Sequence, residues 1–186
     1  MNSKFVFHLA SGLASVALML AMGSTPAKAQ GKDSVEISKL LGNAKVHAAL
    51  AEYDSDTLYT FANSEIPWEA HASQIRTISE HVNDLEKVVN QLNSIRSQGS
   101  LWQQVAIDRI NPLLRHMAEN LNDTIKELSD HKERIQTPEY RDYLRANSDL
   151  ANRTATVISD FVEYSRAGAQ SDHLQKKLEL PPPGHE

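Results

Sequence analysis

From Trp68 to Leu92 one face of the chain is marked every three or four residues without a miss: Trp68, His71, Ile75, Ile78, Val82, Leu85, Val89 and Leu92. A 3-4 repeat averages about 3.5 residues, close to the turn of an α-helix, so these side chains line one stripe of a helix. The stripe has to be covered by other helices, because a helix of this kind is unstable with its apolar seam in water. Pro67 suits the first turn, where its missing N–H costs nothing, and Gly99 is a stop signal. The pattern predicts a helix over about 67–97.

Three more segments show the same period. A helix over about 100–135 opens on Ser100 as N-cap and carries Ile107, Ile110, Leu114, Met117, Leu121, Thr124, Leu128, His131 and Ile135 on its seam. Pro112 lies inside it and predicts a kink or break near Asp108 to Asn111. A helix over about 138–166 opens on Thr137 and Pro138, carries Tyr140, Tyr143, Asn147, Leu150, Thr154, Val157, Phe161 and Tyr164, and ends at Gly168. Residues 169–186 then read as a flexible tail, with one short amphipathic piece at Leu174 and Leu178 before Pro181, Pro182 and Pro183. The helix over about 36–63 admits two seams. One is Leu40, Ala44, His47, Ala51, Asp54, Leu58 and Phe61; the other is Ile37, Leu41, Ala44, Ala48, Ala51, Ser55, Leu58 and Ala62. His47 and Asp54 lie on the first and beside the second. Connections of a few residues set successive helices side by side and antiparallel. The expected fold is all-α, an elongated antiparallel up-down four-helix bundle over residues 30–168.

The first 29 residues are of another kind. Lys4 precedes an apolar run that is densest from Leu13 to Met22, Gly23 and Pro26 interrupt it, and Ala27-Lys28-Ala29 offers small residues for cleavage before Gln30. Charge, apolar run and small residues stand in the order of a secretory signal peptide. The alternative is an uncleaved anchor, against which His8, Ser11, Gly12 and Ser15 weigh. Cleavage gives a periplasmic or secreted product without a transmembrane span. With no cysteine, the chain cannot be a lipoprotein, and thiolate metal sites, cysteine nucleophiles and disulfides are excluded. Of 19 Lys and Arg, two (Lys4 and Lys28) are lost with the signal and none of 24 Asp and Glu is, so the product holds 17 basic and 24 acidic side chains, a net charge of −7. Nucleic acid needs a basic face to displace counterions, and it is excluded as a partner.

Candidate sites come from reflecting residue numbers about each turn. His71 and His131 fall at one end of the bundle at similar height, as a metal pair. His47, His81 and Met117 share a second layer. Bundles place metals and b-type haem between helices in this way, with imidazole and thioether as ligands. The structural alternative is a set of histidines near helix ends reaching water or a carbonyl. Glu-x-x-His and His-x-x-x-His spacings are missing, and no cofactor is assigned. The ligand arrangement of periplasmic b-type cytochrome bundles does not map either, since the helix over 36–63 has no methionine and the helix over 138–166 no histidine. Asn147 and Thr154 are polar on a core seam, which sets helix register or, alternatively, contacts a ligand. Arg76 stands level with Asp54 as the partner it would need if buried; on the second seam Asp54 is solvated instead. No serine or histidine sits in a nucleophile motif, so no catalytic residue is assigned.

Trp68-Glu69-Ala70-His71-Ala72, the stretch Ile78-Ser79-Glu80-His81-Val82-Asn83 and the later Pro138-Glu139-Tyr140-Arg141-Asp142-Tyr143 resemble a pattern in uncharacterised bacterial exported helical-bundle proteins. That resemblance implies a fold and an address and carries no activity. The reading that follows is a non-catalytic envelope module that binds a protein partner or assembles with itself, with Trp68, Tyr140 and Tyr143 anchoring one end. The alternative is a metal- or haem-binding bundle in electron transfer or metal handling.

Overall fold

A computed structural model of the chain describes residues 32–62 and 64–180. Both the signal segment before Gln30 and the run Pro181 to Pro183 lie outside them. Four helices make up the fold: α1 (Val35–Phe61), α2 (Trp68–Ser94), α3 (Leu101–Asp130) and α4 (Pro138–Lys177). Single 3-10 turns at Arg96–Gln98 and Lys132–Arg134 lie between α2 and α3 and between α3 and α4. There is no strand among the described residues. None of these helices is long and apolar enough to cross a membrane.

The helix starts follow the capping chemistry of the sequence. Ser34 Oγ accepts from the Ile37 amide at 3.4 Å, and Thr137 Oγ1 accepts from the Tyr140 amide at 3.3 Å. At α3 the side chain of Gln103 reaches back to accept from the Ser100 amide at 3.1 Å, which satisfies a donor the helix cannot.

Each helix packs on two others, α1 on α2 and α4, and α3 on α2 and α4. Gln103 closes one end. It is fully buried, accepts from the Ser34 amide, and donates to the Ser34 carbonyl and Ser38 Oγ. Ser165 of α4 reaches Ser38 there too. At the other end Phe61 meets His71 edge to face, the Tyr140 ring lies tilted against His71, and Arg141 donates to the Ala62 carbonyl. Between the ends a single apolar core runs through all four helices. Each fully buried leucine or isoleucine in it contributes about 1.5–3 kcal/mol.

On α2, seven of the eight seam residues are buried, and Trp68 is half-buried against the core. On α1 the second seam is the buried one, Ile37, Leu41, Ala44, Ala48, Ala51, Ser55, Leu58 and Ala62, joined by Leu40. Its alanines let backbones approach closely. The α4 seam differs from expectation. Tyr140, Asn147 and Thr154 are buried as expected, but Leu144, Ala151, Ala155, Ile158 and Val162 complete the face, while Tyr143, Leu150, Val157 and Phe161 are half-buried and Tyr164 is exposed. The helix is rolled by about one residue. Wedged between α1 and α3, it turns its small alanines inward and leaves the bulky rings at the edges.

Two boundaries also differ, and no break falls within α3. The helix α3 passes through Pro112 unbroken, and Asn111 donates its side-chain amide to the Ile107 carbonyl one turn back. It ends at Asp130 rather than near 135, because His131 leaves helical geometry at φ −140 and ψ 57; Ile135 still packs on the core. Gly168 does not end α4, which runs on to Lys177. Glycine mid-helix costs only about 1 kcal/mol, less than a break needs. The extension puts the exposed His173 in α4, so that helix does hold a histidine.

Candidate functional site

The expected metal pair is not brought to one polar contact. His71 sits on α2 and is 0% exposed. Its Nδ1 meets the Tyr140 hydroxyl at 3.2 Å, and its Nε2 is buried without a hydrogen-bond partner. Burial lowers the basicity of this imidazole, and the Ile66 backbone carbonyl works against the shift to a smaller extent. The Tyr140 hydroxyl, itself 1% exposed, is pushed far up by burial. His131, at the end of α3, is partly exposed with Glu133 at 3.8 Å.

The middle layer separates as well. His81 Nε2 lies 3.1 Å from Asp54 Oδ2, and Gln74 donates to the Asp54 carboxylate at 2.9 Å and to its backbone carbonyl at 3.1 Å. Asp54 is therefore half-buried and held by α2 even though α1 presents its other seam to the core. The expected partner, Arg76, faces solvent. His47 is half-buried, with Nδ1 lacking a partner. The Asp84 carboxyl is held below its usual range by Lys87 first, with His47 and His81 adding smaller pulls. Met117 belongs to the core and His116 to the surface. No group of three or more His, Asp or Glu side chains among the described residues could hold a metal ion.

Asn147 donates across to Thr124 of α3 at 2.6 Å and to the Tyr143 carbonyl at 3.1 Å. Thr124 in turn donates to the Asn120 carbonyl. This ties α4 to α3 at one height through buried polar groups, leaving Asn147 Oδ1 as an unpaired acceptor. Thr154 bonds back to the Leu150 carbonyl of its own helix at 2.7 Å. Of the three aromatics proposed to anchor one end, Tyr140 is sealed in the core and unavailable to a partner. Trp68 instead takes Lys132 over its ring at 4.0 Å.

The surface holds a feature that neither seam of helix 1 contains. On α1, Val46, Leu50 and Tyr53 are 57%, 41% and 71% exposed. Their 4-3 spacing puts them on one stripe, opposite the buried seam. Gly42 and Ala49 continue the stripe, and a side chain at Gly42 would meet open space. Charges of both signs flank the stripe, with the acidic Glu36 in the first turn of the helix. Lys39 and Lys45 lie toward its start; Glu52 and Asp56 lie toward its end. A signal for this stripe was present in the sequence, as apolar residues left over once the core seam is assigned. Comparison of the chain with models of known protein families, with curated proteins and with solved structures finds no match in any of the three.

Proposed function

We propose that this chain is exported to the cell envelope and acts there as a non-catalytic helical-bundle module that binds a protein partner or assembles with itself. The observation that carries the reading is the exposed apolar stripe on α1. Its helix already buries a complete seam in the core, so Val46, Leu50 and Tyr53 are surplus to folding. A contiguous apolar stripe left in water marks an interaction surface more often than it serves the fold. Export is supported by Lys4, the apolar run to Met22 and Ala27-Lys28-Ala29.

Chemical cross-linking in intact cells tests the reading. The protein is expected in a higher-mass species, and the pair Val46→Asp and Tyr53→Asp is expected to abolish that species at equal protein level. Equal capture of both forms would refute it. The rival reading, a metal or haem bundle, draws on the buried free Nε2 of His71. It requires a Soret band or stoichiometric metal in protein purified from the envelope, and a protein free of both removes it.

A further inference from the structure

We infer that the stripe on α1 is occupied by the same stripe of a second copy, the two helices packed antiparallel about a two-fold axis that passes beside Ala49 and Leu50. This rests on the module reading above and commits it to one occupant. The argument is self-complementarity. A two-fold contact must match a surface to itself, with residue i against j and j against i. With the axis between positions 49 and 50, Val46 of each copy lies level with Tyr53 of the other, a β-branched side chain against a ring. Ala49 and Leu50 meet their own counterparts at the axis. Gly42 falls level with Thr57, where the absent side chain lets the backbones close.

The same register matches the charges. In an antiparallel helix pair each flank meets its own equivalent. The flank of α1 nearest α4 carries Lys45, which reaches Glu163 of α4 at 3.6 Å, together with Glu52 and Asp56, which accept from Asn152 and Ser148 of α4. Lys45 then lies level with position 54 of the other copy, between its Glu52 and Asp56, roughly 3 Å along the axis from each. The contact occurs twice. Within one chain this acidic pair has no lysine or arginine salt bridge among the described residues, and Glu52 is pushed above the ordinary carboxylate range by burial and then by Asp56. Lys45 is free to exchange, since its pairing with the exposed Glu163 is worth little in water. A parallel two-fold pairing would bring opposite flanks together and leave Lys45 about 10 Å or more along the axis from Glu52 and Asp56 of the other copy.

The size of the surface sets the strength. The part of α1 that overlaps in this register, about residues 38–61, is about 35 Å long and 10 Å wide, roughly 350 Å² per copy. A standard stable interface takes about 800 Å² per partner. The pairing is therefore a weak one, expected at roughly micromolar to tens of micromolar concentration.

The absence of cysteine makes the test direct. Single cysteines are placed in the processed protein, purified from the envelope of an expression host, and oxidised mildly. Leu50→Cys is expected to yield a disulfide dimer. Lys39→Cys alone is expected to yield none, because its two copies stand about 30 Å apart in this register and a disulfide needs Cα atoms within about 7 Å. Val46→Cys mixed with Tyr53→Cys is expected to cross-link. In sedimentation velocity up to about 300 µM, well above the range set by an interface of this size, the native protein is expected to dimerise. Lys45→Glu should weaken the dimer at least about tenfold by juxtaposing like charges, and Lys45→Glu combined with Glu52→Lys and Asp56→Lys should restore it. Cross-linking at Lys39→Cys would establish a parallel pairing and overturn the proposal. So would a monomer at every concentration with no cross-link above that of a cysteine at Asn122 on α3. In that monomeric case a higher-mass species in cells that depends on Val46 and Tyr53 would assign the face to a different protein; its loss as well would end the module reading.

Discussion

Tyr140→Phe removes one oxygen from the buried end of the bundle and leaves the ring in place. That oxygen sits 3.2 Å from His71 Nδ1, and His71 is 0% exposed with its other nitrogen already unpaired. The substitution therefore takes the partner from Nδ1 beside the already unpaired Nε2, leaving only the Ile66 backbone carbonyl as a polar neighbour. An orphaned buried polar group costs about 1–3 kcal/mol. A bundle of this size loses about 2–4 °C of melting temperature per kcal/mol, so a fall of roughly 3–10 °C is expected. Pairing the change with His71→Leu replaces both partners by apolar groups, which is close to neutral for a hydrogen-bonded pair. The double variant should be more stable than the sum of the two singles by about 1 kcal/mol or more. Acid adds a second signature. Burial lowers the basicity of His71 in the folded protein from the ordinary 6.5, so above that pH the ring is neutral folded or unfolded and its stability contribution is complete. As pH falls below 6.5 the unfolded chain takes the proton first, and stability drops until the lowered folded value is reached. The slope is at most about 1.4 kcal/mol per pH unit. His71→Leu should remove that part of the acid sensitivity. Urea unfolding followed by circular dichroism at pH 7.5 and pH 5.0 measures both effects. Additive single variants within about 0.5 kcal/mol, and an equal loss on acidification with and without His71, would refute the claim that this ring is bonded and neutral.

The remaining predictions concern two glycines and the processing site. A methyl group added at Gly99 would lie 2.8 Å from Ile37 Cδ1 and 3.1 Å from Gln103 Cβ, and Gln103 is held by its bonds to Ser34, Ser38 and Ser100. Gly99→Ala is therefore expected to destabilise by about 1–3 kcal/mol through overpacking, read as a lower urea midpoint at unchanged slope. Gly42→Ala is expected to do the opposite and stabilise by about 0.5–1 kcal/mol, because the position is mid-helix and nothing lies within 4 Å of the new atom. Intact-mass measurement of protein from the envelope should show an N-terminus at Gln30; retention of residues 1–29 would refute cleavage after Ala29.

How far the sequence alone reaches depends on how many ways each helix can turn. On α2 the large apolar residues form a single stripe with Val88 beside it, so periodicity determines both the helix and its buried face. On α4 two stripes compete. Tyr143, Leu150, Val157 and Phe161 have the bulk that suggests a core, yet Leu144, Ala151, Ala155, Ile158 and Val162 face it. Bulk is a poor guide where two neighbours press close, and alanine gives a weak signal in a pattern of large apolar residues. The end of α4 is hidden for a related reason, since Gly168 is read as a stop when the cost of one glycine is less than the helix gains from continuing. His71 and Tyr140 are each visible on a seam, but their meeting depends on the roll of α4 and on how the 3-10 turn after α3 returns the chain, neither of which is periodic.

On α1 the ambiguity itself is informative. The two seams share Ala44, Ala51 and Leu58, which is why both fit the sequence, and further apolar residues occupy the opposite face. A helix at the corner of a four-helix bundle touches only two neighbours and needs one seam. Once Ile37, Leu41, Ala48, Ser55 and Ala62 are fixed as that seam, Val46, Leu50 and Tyr53 have no role inside the bundle. Burying them in the core would require rolling α1 by about half a turn. That would expose Leu41 and Leu58, which are fully buried and each worth about 1.5–3 kcal/mol where they are. The fold therefore cannot absorb the stripe, and a surface carrying it remains costly in water until another helix covers it.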